Sequence, residues 1–494
     1  MNTSKFAFLL PLLLFAHASV AQTTDVEVRE DIRTFAASPA KVNNLRKAVA
    51  ALQSRRNDNA TAWLNMANIH KFPSPLPSDI PDAVKALFAQ CHKREDMFFL
   101  WHRAYVWSLE RLLQDAIGDS KFRLPYWDWY RDPAIPEIFR SEWLDTQHTQ
   151  KNPLYVKNRN PNANAGRAVW TPQIFTNFNE ARFTAFQDQL NYNEHGTIHG
   201  AVGTGTNMGS QLTAARDPLF WLHHANIDRL LPVWKKMGAQ HVANTTYPLW
   251  QKETYRFPVP GWTLQNPVTV TPSIDDLALN ATDGMMGYKY EDTSPPSLTE
   301  PEVPLRPAAA KSGPAEAAEE GQMLNKMFNP LSIHKDIEIG PGGTVTLPMS
   351  SPGREKLMQL AAPKDTATPA PGGLAIVLSG VKLTKKDDNV LSFAVYVDLP
   401  EKKDATTRFH DHFIGSISLF ALSHAEGEHD DMGPEELRFE ATNALAAMVR
   451  SAKGTAPETV NVSIIPVMAP DTKPPTETVL KISQVRIEAA ATPQ

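Results

Sequence analysis

Cysteine is almost missing: Cys91 is the single one in 494 residues. An intramolecular disulfide framework is therefore excluded, and the chain must be held by its core, with metal as the remaining help. There is no excess of basic charge either. Lys and Arg number 49 against 54 Asp and Glu, and the net charge of -5 is spread along the chain. Partners such as nucleic acid or an anionic membrane need a basic patch to release counterions, so neither is expected. Beyond the N-terminus no uninterrupted apolar run reaches the length needed to span a bilayer, and no internal repeat is present. The N-terminus itself reads "MNTSKFAFLLPLLLFAHASVAQ": one Lys, an apolar run from Phe6 to Ala16, then Ser19-Val20-Ala21. Residues 1–21 are thus expected to be a secretory signal peptide, which makes the protein exported, to a periplasm or the medium.

What is present suits a folded chain. Hydrophobic residues make up 42% and aromatics 9%, with 11 Trp, which is ample material for a core. At ~100–200 residues per domain the length suggests two or three domains, two being the starting point. From 22 to 291 the apolar residues recur at three- and four-residue spacing, as in "TAWLNMANIH", "MFFLWHRAYVWSLERLLQDAIG" and "DPLFWLHHANIDRLLPVWKKMG". The last two end at Gly118 and Gly238, in the position of a helix C-cap. This part is expected to be mainly α. Residues 292–321 are rich in Pro, Ala and Glu and read as a mobile or semi-extended linker, with a helix through "PAEAAEEGQMLNKMF" as the alternative for its end. From 322 to 494 the pattern changes to short β-rich runs: "TVTLPM", "LAIVLSGVKL", "VLSFAVYVDL", "FIGSISLFAL", "TVNVSIIPVM" and "TVLKISQVRIEA". With one helical insert at "PEELRFEATNALAAMVRSA", they predict a β-sandwich-like second domain.

The chemistry is carried by histidine, of which there are 15. "EHGTIHG" sets His195 and His199 four apart, on one face of a helix, where both rings can reach one metal ion. Gly196 stands where a zinc protease would have its general-base Glu, so that reading is excluded. "HKREDMFFLWHRAYVWSLE" places His92 before an aromatic helix bearing His102, Arg103 and Glu110. His102 shares its face with Phe98 and Val106 and so points inward. His70 closes a further helix just before Pro73. Three histidines on each side make two sites of one composition. Imidazole-only ligation suits copper, zinc, iron or nickel. A pair of such sites narrows this to two coppers that cycle between cuprous and cupric states, bind dioxygen and oxidise a phenol in a dry aromatic pocket.

These two stretches, "HKREDMFFLWHRAYVWSLE" and "DPLFWLHHANID", resemble the signatures of the type-3 copper family of tyrosinases, catechol oxidases and molluscan-type haemocyanins. "LPYWDWYRD" and "GYKY" are also similar to family segments, and the resemblance runs from about His70 to Tyr290. It implies a four-helix bundle around a dicopper centre, with His70, His92 and His102 on the first copper and His195, His199 and one of the pair His223 and His224 on the second. Phe220, His224 and Asp228 fall at four-residue spacing on one helical stripe, and the family's ligand is the second histidine of the doublet. His224 is therefore the expected ligand, with His223 and Asp228 beside it as supporting residues. Dioxygen would be the co-substrate and a small phenol the substrate, with a copper-delivery protein as a possible partner.

The β-rich tail resembles the C-terminal domain of plant-type polyphenol oxidases, which often covers the copper entrance until the linker is cut. His410, His412, His424 and His429 in that tail read as a solvated acidic loop rather than as ligands. The sequence departs from the family in three places. Family members often carry Cys-x-His before the aromatic helix, and the Cys forms a thioether to the His. Here Cys91 adjoins His92, which places it poorly for that bond, and a buried free thiol is expected. Members that hydroxylate monophenols commonly have a water-positioning Glu before the first histidine of the second site and an Asn after it; here Asn191 and Gly196 hold those places. Neither takes a proton well; Glu194 is the nearby candidate to substitute as base, with its side chain expected to turn away from the site. The expectation is oxidation of o-diphenols to o-quinones in preference to monophenol hydroxylation. The alternatives are an o-aminophenol oxidase on the same scaffold and a haemocyanin-like oxygen carrier.

Overall fold

The computed structural model describes residues 26–91, 97–203, 205–238, 240–241, 255–273, 286–298, 300–312, 315–316, 329–361, 373–385, 387, 389–402, 408–422, 436–477 and 480–489, and the structural statements below concern these. The expected signal at 1–21, His92, His424, His429 and most of the alternative linker helix lie outside them.

The first part of the chain is mainly helical. Helix α1 (Pro39–Gln53) opens with proline in its first turn and buries Val42, Leu45, Val49 and Leu52 at helical spacing. Helix α2 (Trp63–His70) follows. Helix α3 (Phe98–Ile117) is buried over most of its circumference, as expected of a helix enclosed by others. It stops at Gly118, whose φ of 65° is the left-handed turn that glycine adopts at little cost. Helix α4 (Phe183–Leu190) runs through one wider π turn, Asn191–His195, into α5 (Gly196–Val202). Helix α6 (Pro218–Met237) is capped by Asp217, whose carboxylate accepts the Leu219 N–H at 2.9 Å. Its end differs from expectation. Gly238 is extended, with φ -164°, so it provides no left-handed cap. Strand β1 (Glu27–Arg29) pairs in parallel with β2 (Tyr288–Tyr290), which joins the two ends of this region.

The later part forms two antiparallel sheets from strands β3 (Asn329–Ile339), β4 (Gly343–Pro348), β5 (Leu374–Ser379), β6 (Val390–Val397), β7 (Phe413–Ser418), β8 (Glu436–Glu440), β9 (Thr459–Met468) and β10 (Leu480–Ala489). One sheet runs β7-β6-β9-β4 and the other β8-β5-β10-β3. Their facing side chains form one apolar core, which includes Ile376, Phe393, Val462 and Ile487.

Two runs divide where a single element was expected. "FIGSISLFAL" is strand only to Ser418 and then turns into a short helix, α7 (Leu419–Leu422), because the Ser418 hydroxyl accepts the Phe420 N–H at 3.1 Å. "PEELRFEATNALAAMVRSA" is strand β8 first, with Leu437 and Phe439 turned inward, and becomes helical from Thr442. Strand β3 and the helix Ser351–Ala361 were not legible in the sequence pattern.

Strand β6 joins the two parts. Phe393, Val395 and Val397 point into the sandwich, while Leu391, Ala394 and Tyr396 belong to the core of the helical part. Alternation puts successive side chains on opposite faces, so a strand buried on both faces reads as the continuous apolar run "VLSFAVYV". Residues 300–312 run beside the sandwich. Arg306 donates to Asp398 at 2.9 Å and to the Leu399 carbonyl at 2.8 Å, and the Ala310 N–H donates to the Thr344 carbonyl at 2.9 Å. Among the described residues no helix is long and apolar enough to cross a membrane.

Candidate metal centre

The helices that bear the histidines are locked together by buried charge. Asp228 on α6 accepts from Arg103 Nε on α3 at 2.5 Å, from Arg29 at 3.2 Å, and from the hydroxyls of Tyr288 and Tyr290 at 2.5 and 2.6 Å. Arg29 also donates to Glu110 at 2.9 Å. Burial alone would raise the Asp228 carboxyl, but the two guanidiniums and two phenol hydroxyls hold it below its ordinary value. His102 is next to Arg103 and His224 lies one turn before Asp228. Fixing that ion pair therefore fixes the register of the two rings, which stack at 4.1 Å with a 12° interplanar angle.

Four of the clustered histidines have their Nδ1 engaged by a backbone carbonyl: His70 by Gln211 at 3.1 Å, His102 by Phe98 at 2.8 Å, His195 by Asn191 at 3.1 Å and His199 by Met208 at 3.0 Å. In a neutral ring this sets the tautomer with Nε2 as the lone-pair nitrogen, the form a metal needs. Burial keeps the rings neutral. Loss of solvent, reinforced by neighbouring imidazoles, pushes His102, His199 and His224 well below the usual histidine range, and His195 is lowered to about 3 by burial. The lone-pair nitrogen of His199 faces His224 Nε2 at 3.3 Å. His195 Nε2 is buried without a hydrogen-bond partner. The donor atoms gather in two buried groups, one of His195, His199, His223 and His224, the other of His70, Cys91 and His102, each with its donors within 4.8 Å of one another. The stacked His102 and His224 rings form the wall the two groups share. Phe98, Phe220 and Phe420 line it with apolar surface, Phe420 lying flat on His199 at 4.0 Å and 5°.

The remaining expected residues fall into place as follows. His223 belongs to the second group itself rather than standing behind it, and neither of its ring nitrogens makes a hydrogen bond of good geometry. Asn191 contributes its carbonyl to His195. Gly196 abuts Ser418 of β7. Glu194 turns away from the histidines: it accepts from the Tyr130 hydroxyl at 2.9 Å, from the N–H groups of Phe175 and Thr176 at 2.9 and 3.0 Å, and from the Thr176 hydroxyl at 2.5 Å. Cys91 is buried and free of disulfide, and its sulfur lies 3.5 Å from His102 Nε2. His410 faces Glu300 at 3.6 Å, and His412 bonds the Val397 carbonyl at 2.9 Å. Sequence reasoning missed Arg29 and Phe420. Both lie far along the chain from the residues they meet, and no local pattern marks them.

A family model described as the common central domain of tyrosinase matches residues 60–168 and 142–237. The chain thus carries the common central domain of the type-3 copper tyrosinase and polyphenol oxidase family. Chloroplastic polyphenol oxidase II of Ipomoea batatas is 28% identical over 289 residues, which is 49% of this chain and 45% of that protein. Tyrosinase HcTyr1 of a Hahella species is 26% identical over 320 residues, 55% of this chain and 65% of that protein. The matched stretches thus span about half to two thirds of these curated relatives. The solved structure of latent apple tyrosinase shares the fold, with a TM-score of 0.55 at 18% identity over 94% of this chain and 97% of that one. The family's cofactor is a pair of copper ions, with dioxygen as the usual co-substrate. The residues here fit it: His195, His199, His223 and His224 form one buried group and His70, His102 and Cys91 the adjoining one, with Nδ1 of four rings turned to backbone carbonyls and His195 Nε2 left without a hydrogen-bond partner.

Two outcomes follow from this geometry. Asp228→Asn leaves two buried guanidiniums short of their counter-charge and is expected to cost about 3–5 kcal/mol in urea denaturation; a loss below about 1 kcal/mol contradicts the locking role. In metal-free protein the buried rings remain neutral below the ordinary histidine pKa of 6.5, whereas the unfolded chain takes up protons there. Their contribution to stability is thus complete above that pH and falls on acidification by about 1.4 kcal/mol per pH unit for each ring. The melting temperature of metal-free protein should drop steadily from about pH 6.5 to 5, and a flat profile counts against neutral burial.

Proposed function

We propose that the chain is a dicopper oxidase that uses dioxygen to oxidise o-diphenols to o-quinones. Two diphenols give up four electrons and four protons to one dioxygen, which leaves as two waters. The observation that carries the reading is the meeting of two buried histidine groups through the stacked rings of His102 and His224. In this reading His70, His92 and His102 hold the first copper, and His195, His199 and His224 the second, with the surrounding helices as the family's four-helix bundle. The 3.3 Å approach of His224 Nε2 to His199 Nε2 favours His224 over His223 as the ligand. The copper pair supplies the binding and reduction of dioxygen; the chain's residues hold the imidazoles neutral, exclude water and offer an apolar wall to a phenol ring.

The preference for diphenols is supported by the absence, among the described residues, of a free carboxylate at the expected base positions. Position 191 is Asn and 196 is Gly, and Glu194 is occupied by four hydrogen bonds from Tyr130, Phe175 and Thr176. Burial also holds the Glu194 carboxyl above its ordinary value. Phe420, stacked on His199, covers the second group, which supports a latent intact chain opened by cleavage in 292–321. Copper delivery by a partner protein and export by residues 1–21, the latter read from the sequence alone, complete the proposal.

Initial rates on catechol, tyrosine and o-aminophenol, taken with copper-loaded protein before and after linker cleavage, test this. Catechol is expected to be fastest; tyrosine turnover as fast and without a lag overturns the diphenol preference, and reversible oxygenation with no turnover points to a carrier. Phe420→Ala should raise the catechol rate of the uncleaved chain roughly tenfold, the factor equivalent to about 1.4 kcal/mol of lost ring contact. Metal analysis should find about one copper per chain in His224→Ala and about two in His223→Ala, and the reverse pattern shifts the ligand by one residue.

A further inference from the structure

The turn that carries Phe420 rests on a glycine. Gly196 has ordinary right-handed helical angles, φ -67° and ψ -33°, so the backbone does not call for glycine, and glycine within a helix is less stable than alanine. Packing supplies the reason. A Cβ at Gly196 would stand 2.4 Å from Ser418 Oγ and 2.6 Å from Ser418 Cβ, closer than carbon contacts permit. One turn later a Cβ at Gly200 would meet the Leu391 carbonyl at 3.3 Å. Between them the Thr197 hydroxyl donates to Ser392 Oγ at 3.2 Å. Helix α5 thus presents β6 and β7 with a face lacking side chains at two successive turns. Ser418 in turn accepts the Phe420 N–H, and the Phe420 ring returns to α5 to stack on His199.

We propose that Gly196 is the docking seat of the sandwich, and that the missing side chain there is what lets Phe420 close over the second histidine group. The inference rests on the covered-site reading above and deepens it: position 196 answers for domain docking as well as for its place beside the substrate. A side chain added at 196 pushes Ser418 outward, and the turn and the Phe420 ring move with it. Gly196 is thereby linked to His199 both along one helix and through the other domain.

The test is amide hydrogen exchange over residues 413–422 in the full chain, read by mass spectrometry, beside catechol oxidation by the copper-loaded, uncleaved protein. Gly196→Ala and Gly196→Val are expected to speed exchange in that order, the larger change by at least about tenfold, and to raise the uncleaved rate. Ser418→Gly removes the colliding atoms but also the hydroxyl that accepts the Phe420 N–H, so it serves as its own background, in which adding Gly196→Ala should speed exchange less than it does in the wild type. Wild-type exchange in Gly196→Val, or an effect of Gly196→Ala as large in the Ser418→Gly background as in the wild type, overturns the proposal. Gly196→Ala alone decides the matter where valine prevents folding. If exchange follows the series while no form oxidises catechol, the oxidase reading falls and the docking seat stands.

Discussion

The Arg103–Asp228 ion pair is the contact on which the centre depends. It is buried, and a lone charge in its position would be costly, so α3 and α6 have little freedom to slide. Arg29, Tyr288 and Tyr290 complete the shell around Asp228 and bring the two ends of the helical part, through β1 and β2, to the same point. Because His102 and His224 sit beside these anchors, the charge network holds their stacked rings in register.

The second group is built differently. His195 and His199 lie where a π turn gives way to α5, and the carbonyls of Asn191 and Met208 orient their rings. Glu194 contributes from behind. Three of its four hydrogen bonds hold the π turn against the loop of Phe175 and Thr176, the fourth coming from Tyr130, and Phe175 in turn packs on Phe409 and Phe413 of the sandwich. A carboxylate that resembles a catalytic base in the sequence thus joins the metal-site helix to the domain interface.

Much of this was legible in the chain, and the reasons differ from residue to residue. Helices α2, α3 and α6 could be read because their apolar residues repeat at helical spacing. Histidines at four-residue spacing, or on the same apolar stripe as an aromatic, could be read as facing inward. The β-rich tail is readable as short runs between turns, yet the same pattern makes "FIGSISLFAL" strand throughout. The bond from the Phe420 N–H to Ser418 Oγ ends the strand early, and apolar content alone does not register it. Position alone makes Gly238 a cap, although its backbone is extended.

The sequence by itself determined which groups can carry the chemistry: the histidines, the aromatic wall and the single thiol, each placed on an element by local periodicity. Periodicity is a property of neighbours along the chain, so it reaches no further than one helix or strand. Only the tertiary structure decided which rings meet, that His223 joins the second group, that Glu194 faces away and that Phe420 covers His199. Those outcomes depend on contacts between residues up to hundreds of positions apart, set by buried ion pairs and by two faces of one strand packing into two cores.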